Sequence, residues 1–392
     1  MSVSIKISKL VEQIPPSGIR AFFDLVIGMK DVISLGVGEP DFVTPWNIRE
    51  RAIYSLEEGY TSYTSNKGLA ELRREISAHL LRKYGMDYDP EDEILVTVGV
   101  SEAFDLAIRA VVNNKDKVLI PEPSYVSYGP VTTLCRGKPV FIKTSPDNGF
   151  KITPKDIDKA YVKKTKAMIL NYPNNPTGAS YSKKELKKIS GPVLKHNLIM
   201  ISDEIYCDLT YDFEHTPFPA LPRMKERTIY LNGFSKGFAM TGWRIGYACG
   251  PKEIIGAMTK IHQYTMMCVP IASQMAALEA LQHGEKSVRE MKREYRRRRE
   301  FVVSRLNEIG LPCHRPEGAF YAFPSIKHTG MTSMEFSNKL LKKEKVACVP
   351  GTAFGPLGEG YLRISYASSF DNLKEALIRM ERFLKSIKTV RK

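Results

Sequence analysis

The chain has 392 residues, 43% of them hydrophobic and 26% charged, with a formal net charge of +15. That length exceeds the roughly 250–300 residues at which a single core stops growing, so one large and one smaller domain is the natural expectation. No apolar run approaches the roughly 18 residues that a membrane-crossing helix needs, and the first ten residues lack the apolar stretch of a secretory leader, so a soluble cytoplasmic protein is expected.

In chain order, the first clear element is the apolar run Ile94-Leu95-Val96-Thr97-Val98, followed by a helix-compatible stretch from Ser101 to about Val112. Val118-Leu119-Ile120 and Val140-Phe141-Ile142 read as strands, and Pro154 to Tyr161 as a helix. Ala167-Met168-Ile169-Leu170 reads as a strand, the residues after Ser182 as a helix, and Leu198-Ile199-Met200-Ile201-Ser202 as a strand. Alternation of this kind predicts a mostly parallel sheet covered by helices. From Arg289 to Arg305 the apolar residues Val288, Met291, Tyr295, Phe301, Val302 and Leu306 recur at helical spacing, with Arg296-Arg297-Arg298-Arg299 read as the solvated face. After it come Gly318–Phe323, a helix near Ser333–Lys345, Val346–Val349, Leu362–Tyr366 and a final helix from Asp371. Residues 46–285 are therefore expected to form the large domain, 286–392 a smaller α+β domain, and 1–45 a separate N-terminal segment.

The basic charge raises the question of nucleic acid, but no groove-reading module or RNA-binding signature is present, so no nucleic-acid partner is expected. The six cysteines are scattered without C-x-x-C spacing and read as reduced core residues. No metal site is expected.

In open α/β sheets, ligands collect at the carboxyl ends of the strands. Four such places carry a consistent set. Gly99-Val100-Ser101-Glu102-Ala103 follows the first strand, where Ser101 is expected to cap the next helix and leave backbone N–H groups for an anion. Asn171-Tyr172-Pro173-Asn174-Asn175-Pro176-Thr177-Gly178 follows another strand, and Asp203 and Tyr206 a third. The fourth is Ser235-Lys236 on a Gly-punctuated turn with Arg244 eight residues on, which suits a carbonyl-reactive amine beside a phosphate site. Singly, each is a common cap or turn; together and in order they point to chemistry.

With these motifs the chain resembles the class I aminotransferases, pyridoxal phosphate (PLP) enzymes of fold type I. The similarity extends from Ser34-Leu35-Gly36-Val37-Gly38-Glu39-Pro40-Asp41-Phe42 through Tyr63-Thr64-Ser65-Asn66-Lys67-Gly68 to Tyr361-Leu362-Arg363-Ile364-Ser365. It implies that Lys236 holds PLP covalently and later shuttles a proton, its amine made reactive by neighbouring cations. It implies that Asp203 partners the ring nitrogen, that Tyr206 and Asn175 bond the ring's 3-oxygen, and that Tyr125 stacks on the ring. Ser101, Glu102 and Ala103 would hold the phosphate mainly through the helix end and the serine hydroxyl, joined by Ser235 and Arg244, and Tyr63 would reach the phosphate of a neighbouring subunit, making a homodimer. The N-terminal segment would pack with the small domain and that partner. Arg363 would grip the substrate carboxylate, assisted by Asn175 and the backbone N–H of Gly38.

The activity implied is transfer of an amino group from an L-amino acid (aspartate, aromatic or another neutral one) to a 2-oxo acid, 2-oxoglutarate first, by a ping-pong mechanism. Aspartate-specific relatives use a partner arginine in the region of Lys260–Cys268, which here has none. Acidic specificity would then need another group, such as Arg20, while Tyr264, Met266 and Met267 would suit an apolar pocket. A PLP-dependent carbon–sulfur β-lyase is the alternative activity, and a non-catalytic PLP- or nucleic-acid-binding protein of the same fold the more distant one.

Overall fold

The computed structural model describes residues 6–16, 18–19 and 29–390, with side chains to 387. Seven strands form the main sheet: β2 (Ile94–Thr97), β3 (Lys117–Glu122), β4 (Lys138–Lys143), β5 (Thr165–Asn171), β6 (Ile199–Asp203), β7 (Thr228–Gly233) and β8 (Gly246–Cys249). Their order is β2-β8-β7-β6-β5-β3-β4. Pairs among β3 to β7 are parallel, and β8 alone runs against its neighbours β7 and β2. The sheet is thus mostly parallel, as the alternation predicts.

The apolar runs are continuous because both faces are covered, as in parallel sheets generally. Along β5, Ala167 and Ile169 face a core shared with the helices Gly99–Val111 and Lys252–Thr265. Met168 and Leu170 face the opposite layer, packed with the helices Pro154–Ala160 and Lys183–Lys195. Near β2, β7 and β8 that layer is formed instead by the helices Trp46–Glu57, Ala70–Tyr84 and Ile271–His283.

The C-terminal part has its own core. A three-stranded antiparallel sheet, β11 (Val349–Pro350), β12 (Leu362–Ser365) and β9 (Tyr321–Ala322), packs with the helices Glu285–Glu308, Ser333–Glu344 and Phe370–Val390. The run Val346–Val349 is split: β10 (Val346–Ala347) pairs in parallel with β1 (Ile33–Ser34), while β11 joins the other sheet. Residues near the N-terminus thereby add to this layer, with Leu35 in its core. The helix Glu285–Glu308 is continuous across the two bodies, with Val288 packed in the larger core and Met291 through Leu306 in the other.

The arginine run departs from expectation. Arg296 and Arg297 are exposed, but Arg298 and Arg299 are buried. Arg298 Nη1 donates to both carboxylate oxygens of Asp41 at 2.8 and 2.9 Å. Arg299 forks onto Asp212 at 2.6 and 2.9 Å and donates to the Pro316 carbonyl at 2.7 Å. Paired acids far away in sequence make these positions part of the packing, which a reading of the apolar stripe alone misses. The cysteines are all free, but only Cys207, Cys249 and Cys348 are fully buried; Cys135, Cys268 and Cys313 are partly exposed. Among the described residues no helix is long and apolar enough to cross a membrane, and no group of three or more potential metal ligands occurs.

Candidate active site

At the carboxyl edge of the sheet lies a cavity of about 540 Å³. Its walls bring together Gly38, Ser101, Tyr125, Asn175, Asp203, Tyr206, Ser235, Lys236, Arg244 and Arg363 from across the whole chain. Asp203 is the last residue of β6 and lies within the strand, which fixes its backbone in the sheet. Tyr128 donates to Asp203 Oδ2 at 2.6 Å, and the Ile205 N–H donates to Oδ1 at 3.3 Å. Burial pushes the Asp203 carboxyl up to about 6, against the pull of these two donors. Tyr128, three residues after Tyr125, is a site residue that the sequence reading missed.

Lys236 follows β7 and donates from Nζ to the Gly38 carbonyl at 2.7 Å. Its amine is lowered to about 8. The largest cause is burial; Arg363 and Arg244 lower it further, and Glu39 and Asp203 oppose. The neighbouring cations invoked from the sequence are therefore a secondary influence. Gly38 is held close: a Cβ there would sit 2.8 Å from the Tyr321 hydroxyl and 3.6 Å from both terminal nitrogens of Arg363. In this structure its carbonyl, bonded to Lys236, is the group seen in use.

Arg363 on β12 is buried without a carboxylate partner among the described residues. It donates from Nη1 to Asn175 Oδ1 at 3.1 Å and from Nη2 to the Gly36 carbonyl, while Nε has no partner among the described residues. The guanidinium lies over the Tyr321 and Phe354 rings, 4.7 and 4.9 Å from their centroids. A desolvated cation with spare donors is a built receptor for an anion. Tyr206 and Tyr321 share a hydrogen bond at 2.8 Å between their hydroxyls. Tyr321 was likewise not singled out in the sequence, although its run Gly318–Phe323 was.

At the other end, the helix begins at Gly99, so Ser101 stands inside its first turn and does not cap it. No side chain caps this helix at Val98. Its first N–H groups are therefore available to a ligand, with Ser101, Ser235 and Arg244 lining the same cavity. Arg244 donates to the Thr241 carbonyl at 3.0 Å and has no carboxylate partner among the described residues. Gly99 has φ +72°, and a Cβ there would come within 2.6 Å of Arg244 Nη2.

The side chains of three expected site residues do not line this cavity, two of them (Glu102 and Ala103) expected to serve mainly through the helix end and the third (Tyr63) to serve a neighbouring subunit. Glu102 turns toward His262, Ala103 is buried in the core, and Tyr63 is 82% exposed. Tyr264, Met266 and Met267 are exposed too and do not line this cavity in the single chain. Arg20 lies outside the described residues.

The family model described as aminotransferase class I and II matches residues 30–380. The chain belongs to this family. The enzyme is 48% identical to an aspartate aminotransferase of Pyrococcus abyssi, over 97% of this chain and 99% of that one. Among solved structures it is similar to an aromatic aminotransferase of Pyrococcus horikoshii, with TM-score 0.90 and 47% identity over 94% and 99% of the two chains. It is also similar to the aspartate aminotransferase of Thermus thermophilus with maleate, with TM-score 0.92 and 36% identity over 97% and 100%. This is therefore a PLP-dependent aminotransferase of fold type I, acting on amino acids and 2-oxo acids. The cavity suits that cofactor: a buried acid, a reactive amine, an aromatic at Tyr125 and a cation beside an open helix end occupy one space.

Proposed function

We propose that the enzyme moves the amino group of an L-amino acid (aspartate, an aromatic or another neutral one) to 2-oxoglutarate in two half-reactions of a ping-pong cycle. The observation that carries this reading is Arg363, a buried guanidinium with unused donors 3.1 Å from Asn175 and over two rings. Every donor and acceptor in such a cycle carries the same α-carboxylate, which a planar fork matches with two parallel bonds. Gly38 leaves room beside it.

Arg244, Ser101, Ser235 and the first turn of the helix Gly99–Val111 would hold the cofactor's phosphate, Asp203 its ring nitrogen and Tyr125 its face. Bound PLP supplies an electrophilic carbonyl and an electron-withdrawing ring. Lys236, with an amine at about 8, is partly neutral at physiological pH and so is suited to take and return the proton of the substrate α-carbon. Tyr128 orients Asp203 and favours its ionised form, and Asn175 and Tyr206, which line the same cavity, would bond the ring's 3-oxygen.

The same reading assigns residues 46–285 to a large cofactor-binding domain and 286–392 to a small one, with 1–45 between the small domain and a partner. A homodimer is supported by Tyr63 and Tyr264, 82% and 84% exposed near Met266 and Met267 on an apolar surface of the single chain. Exposure of Tyr63 is what a residue serving a neighbour's site requires.

The test is the absorbance spectrum of the PLP-loaded protein before and after single amino acids. A cofactor band that shifts with a donor and returns with 2-oxoglutarate supports the proposal and ranks donors. A spectrum that no amino acid changes, or a band that persists while pyruvate accumulates, removes it. Arg363→Lys should raise KM for every donor and for 2-oxoglutarate by about tenfold or more, the worth of a charge-assisted hydrogen bond. An effect confined to one substrate would remove the clamp assignment.

A further inference from the structure

Glu102 stands in the first turn of the helix Gly99–Val111, yet its side chain does not line the cavity. Its Oε2 accepts from the Val98 N–H at 2.5 Å, and its Oε1 lies 2.6 Å from Nδ1 of His262. A carboxylate only accepts, so the imidazole donates from Nδ1. His262 belongs to the helix Lys252–Thr265, is fully buried, and has no partner at Nε2 among the described residues. The pair joins two packed helices across 160 residues of sequence.

A carboxylate in this turn sets two electrostatic effects against each other. The amino end of a helix favours negative charge, but the same end faces Ser101, Ser235 and Arg244, the groups assigned above to a phosphate. An uncompensated carboxylate would repel that phosphate strongly in poorly solvated surroundings. The bond from His262 binds one oxygen of Glu102, and Val98 occupies the other. Among the described residues no side chain caps the N–H groups of this first turn. On its other side, the His262 carbonyl accepts from the N–H groups of Met266 and Met267 at 2.8 and 3.0 Å. The Met267 carbonyl in turn accepts from Asn66 at 2.6 Å, in the segment that carries Tyr63. His262 therefore stands between the phosphate end of the cavity and the exposed apolar surface.

We propose that His262 is a positioning residue for phosphate binding: its hydrogen bond to Glu102 sets the first turn of the helix Gly99–Val111 and shields the bound phosphate from the Glu102 carboxylate. The inference rests on the reading of that helix end and Arg244 as the phosphate site.

The experiment measures Kd of the apoprotein for pyridoxal 5'-phosphate and for pyridoxal, which lacks the phosphate, by quenching of tryptophan fluorescence; Trp243 adjoins Arg244. His262→Leu is expected to weaken pyridoxal 5'-phosphate by about tenfold, the loss of one hydrogen bond to a charged group, and to leave pyridoxal unchanged. His262→Asn, whose amide nitrogen reaches the place of Nδ1, should restore most of the affinity. Glu102→Gln, which removes the charge, should bind the phosphate form as well as wild type or better, and should rescue His262→Leu in the double variant. Equal weakening of both probes, no weakening, or no rescue by either second change would overturn the role of His262. Should His262→Leu fail to fold, Glu102→Gln decides: a selective tenfold loss of the phosphate form would refute the shielding. Equal affinity of wild type for both probes would instead remove the phosphate assignment itself, whereas a wild-type preference retained in full by His262→Leu would remove His262 alone.

Discussion

Tyr128→Phe isolates one hydrogen bond with almost no change of shape. The Tyr128 side chain is buried against Phe104, and its hydroxyl serves Asp203 at 2.6 Å. A donor to a charged acceptor is worth about 1.5–3 kcal/mol, which corresponds to about one to two pKa units on the carboxyl it serves. Asp203 already stands at about 6 because it is buried, so the variant should hold it at roughly 7–8. The sign follows from the charge: the donor favours the ionised form, and without it the proton is kept to higher pH. Ionised Asp203 is the form that pairs with a protonated ring nitrogen, so it is lost as pH falls through the new value. Affinity of the apoprotein for PLP, titrated from pH 5 to 9, should show its acid limb displaced upward by about one to two units, with kcat at pH 7 reduced in parallel. A limb at the wild-type position, with kcat unchanged, would refute the account of Tyr128 and weaken that of Asp203.

Three further outcomes are expected. Labelling of Lys236 in the apoprotein by a small acylating reagent, followed by peptide mass analysis, should reach half its maximal rate near pH 8; a midpoint near that of an ordinary lysine would contradict the buried amine. Gly99→Ala forces an L-residue to φ +72° and a Cβ to 2.6 Å from Arg244, so it should destabilise the fold by about 1–2 kcal/mol and weaken PLP binding, and wild-type affinity would refute the close approach. Arg299→Met leaves Asp212 with Arg315 alone, at 3.4 Å, and should cost about 1–2 kcal/mol in urea titrations at neutral pH. Because Arg299 holds the Asp212 carboxyl below its usual range, that contribution is complete above about pH 4 and fades as pH falls, so wild type and variant should converge in acid; a constant gap would point to packing alone.

The sequence was most legible where one local signal sufficed. Strands β2, β3, β5 and β6 announce themselves as apolar runs because both faces of the sheet are covered there, and the helix expected after Ser182 begins at that residue, where Ser182 and Glu185 form a capping box. The strands β7 and β8 and the helix Ile271–His283 were not drawn from the sequence. The helix is buried on several sides, which erases the polar stripe by which a surface helix is recognised, and β8 is short and begins and ends against glycines. Within the site, residues at strand ends were legible, whereas supports reaching in from afar were not. Tyr128 meets Asp203 over 75 residues, Glu102 meets His262 over 160, and Arg298 meets Asp41 over 257. No periodicity encodes such pairs, and the apolar stripe assigned Arg298 and Arg299 to water because their acids are distant.

The bond between Arg298 and Asp41 has a mechanical consequence. Asp41 ends the segment whose carbonyls at Gly36 and Gly38 hold Arg363 and Lys236, and Arg298 stands partway along a 24-residue helix rooted at one end in the larger core. The Gly36–Asp41 segment is thus tied to that helix by an ion pair. A displacement of that helix would reach, through Asp41, the one segment whose two carbonyls accept from the amine and the guanidinium.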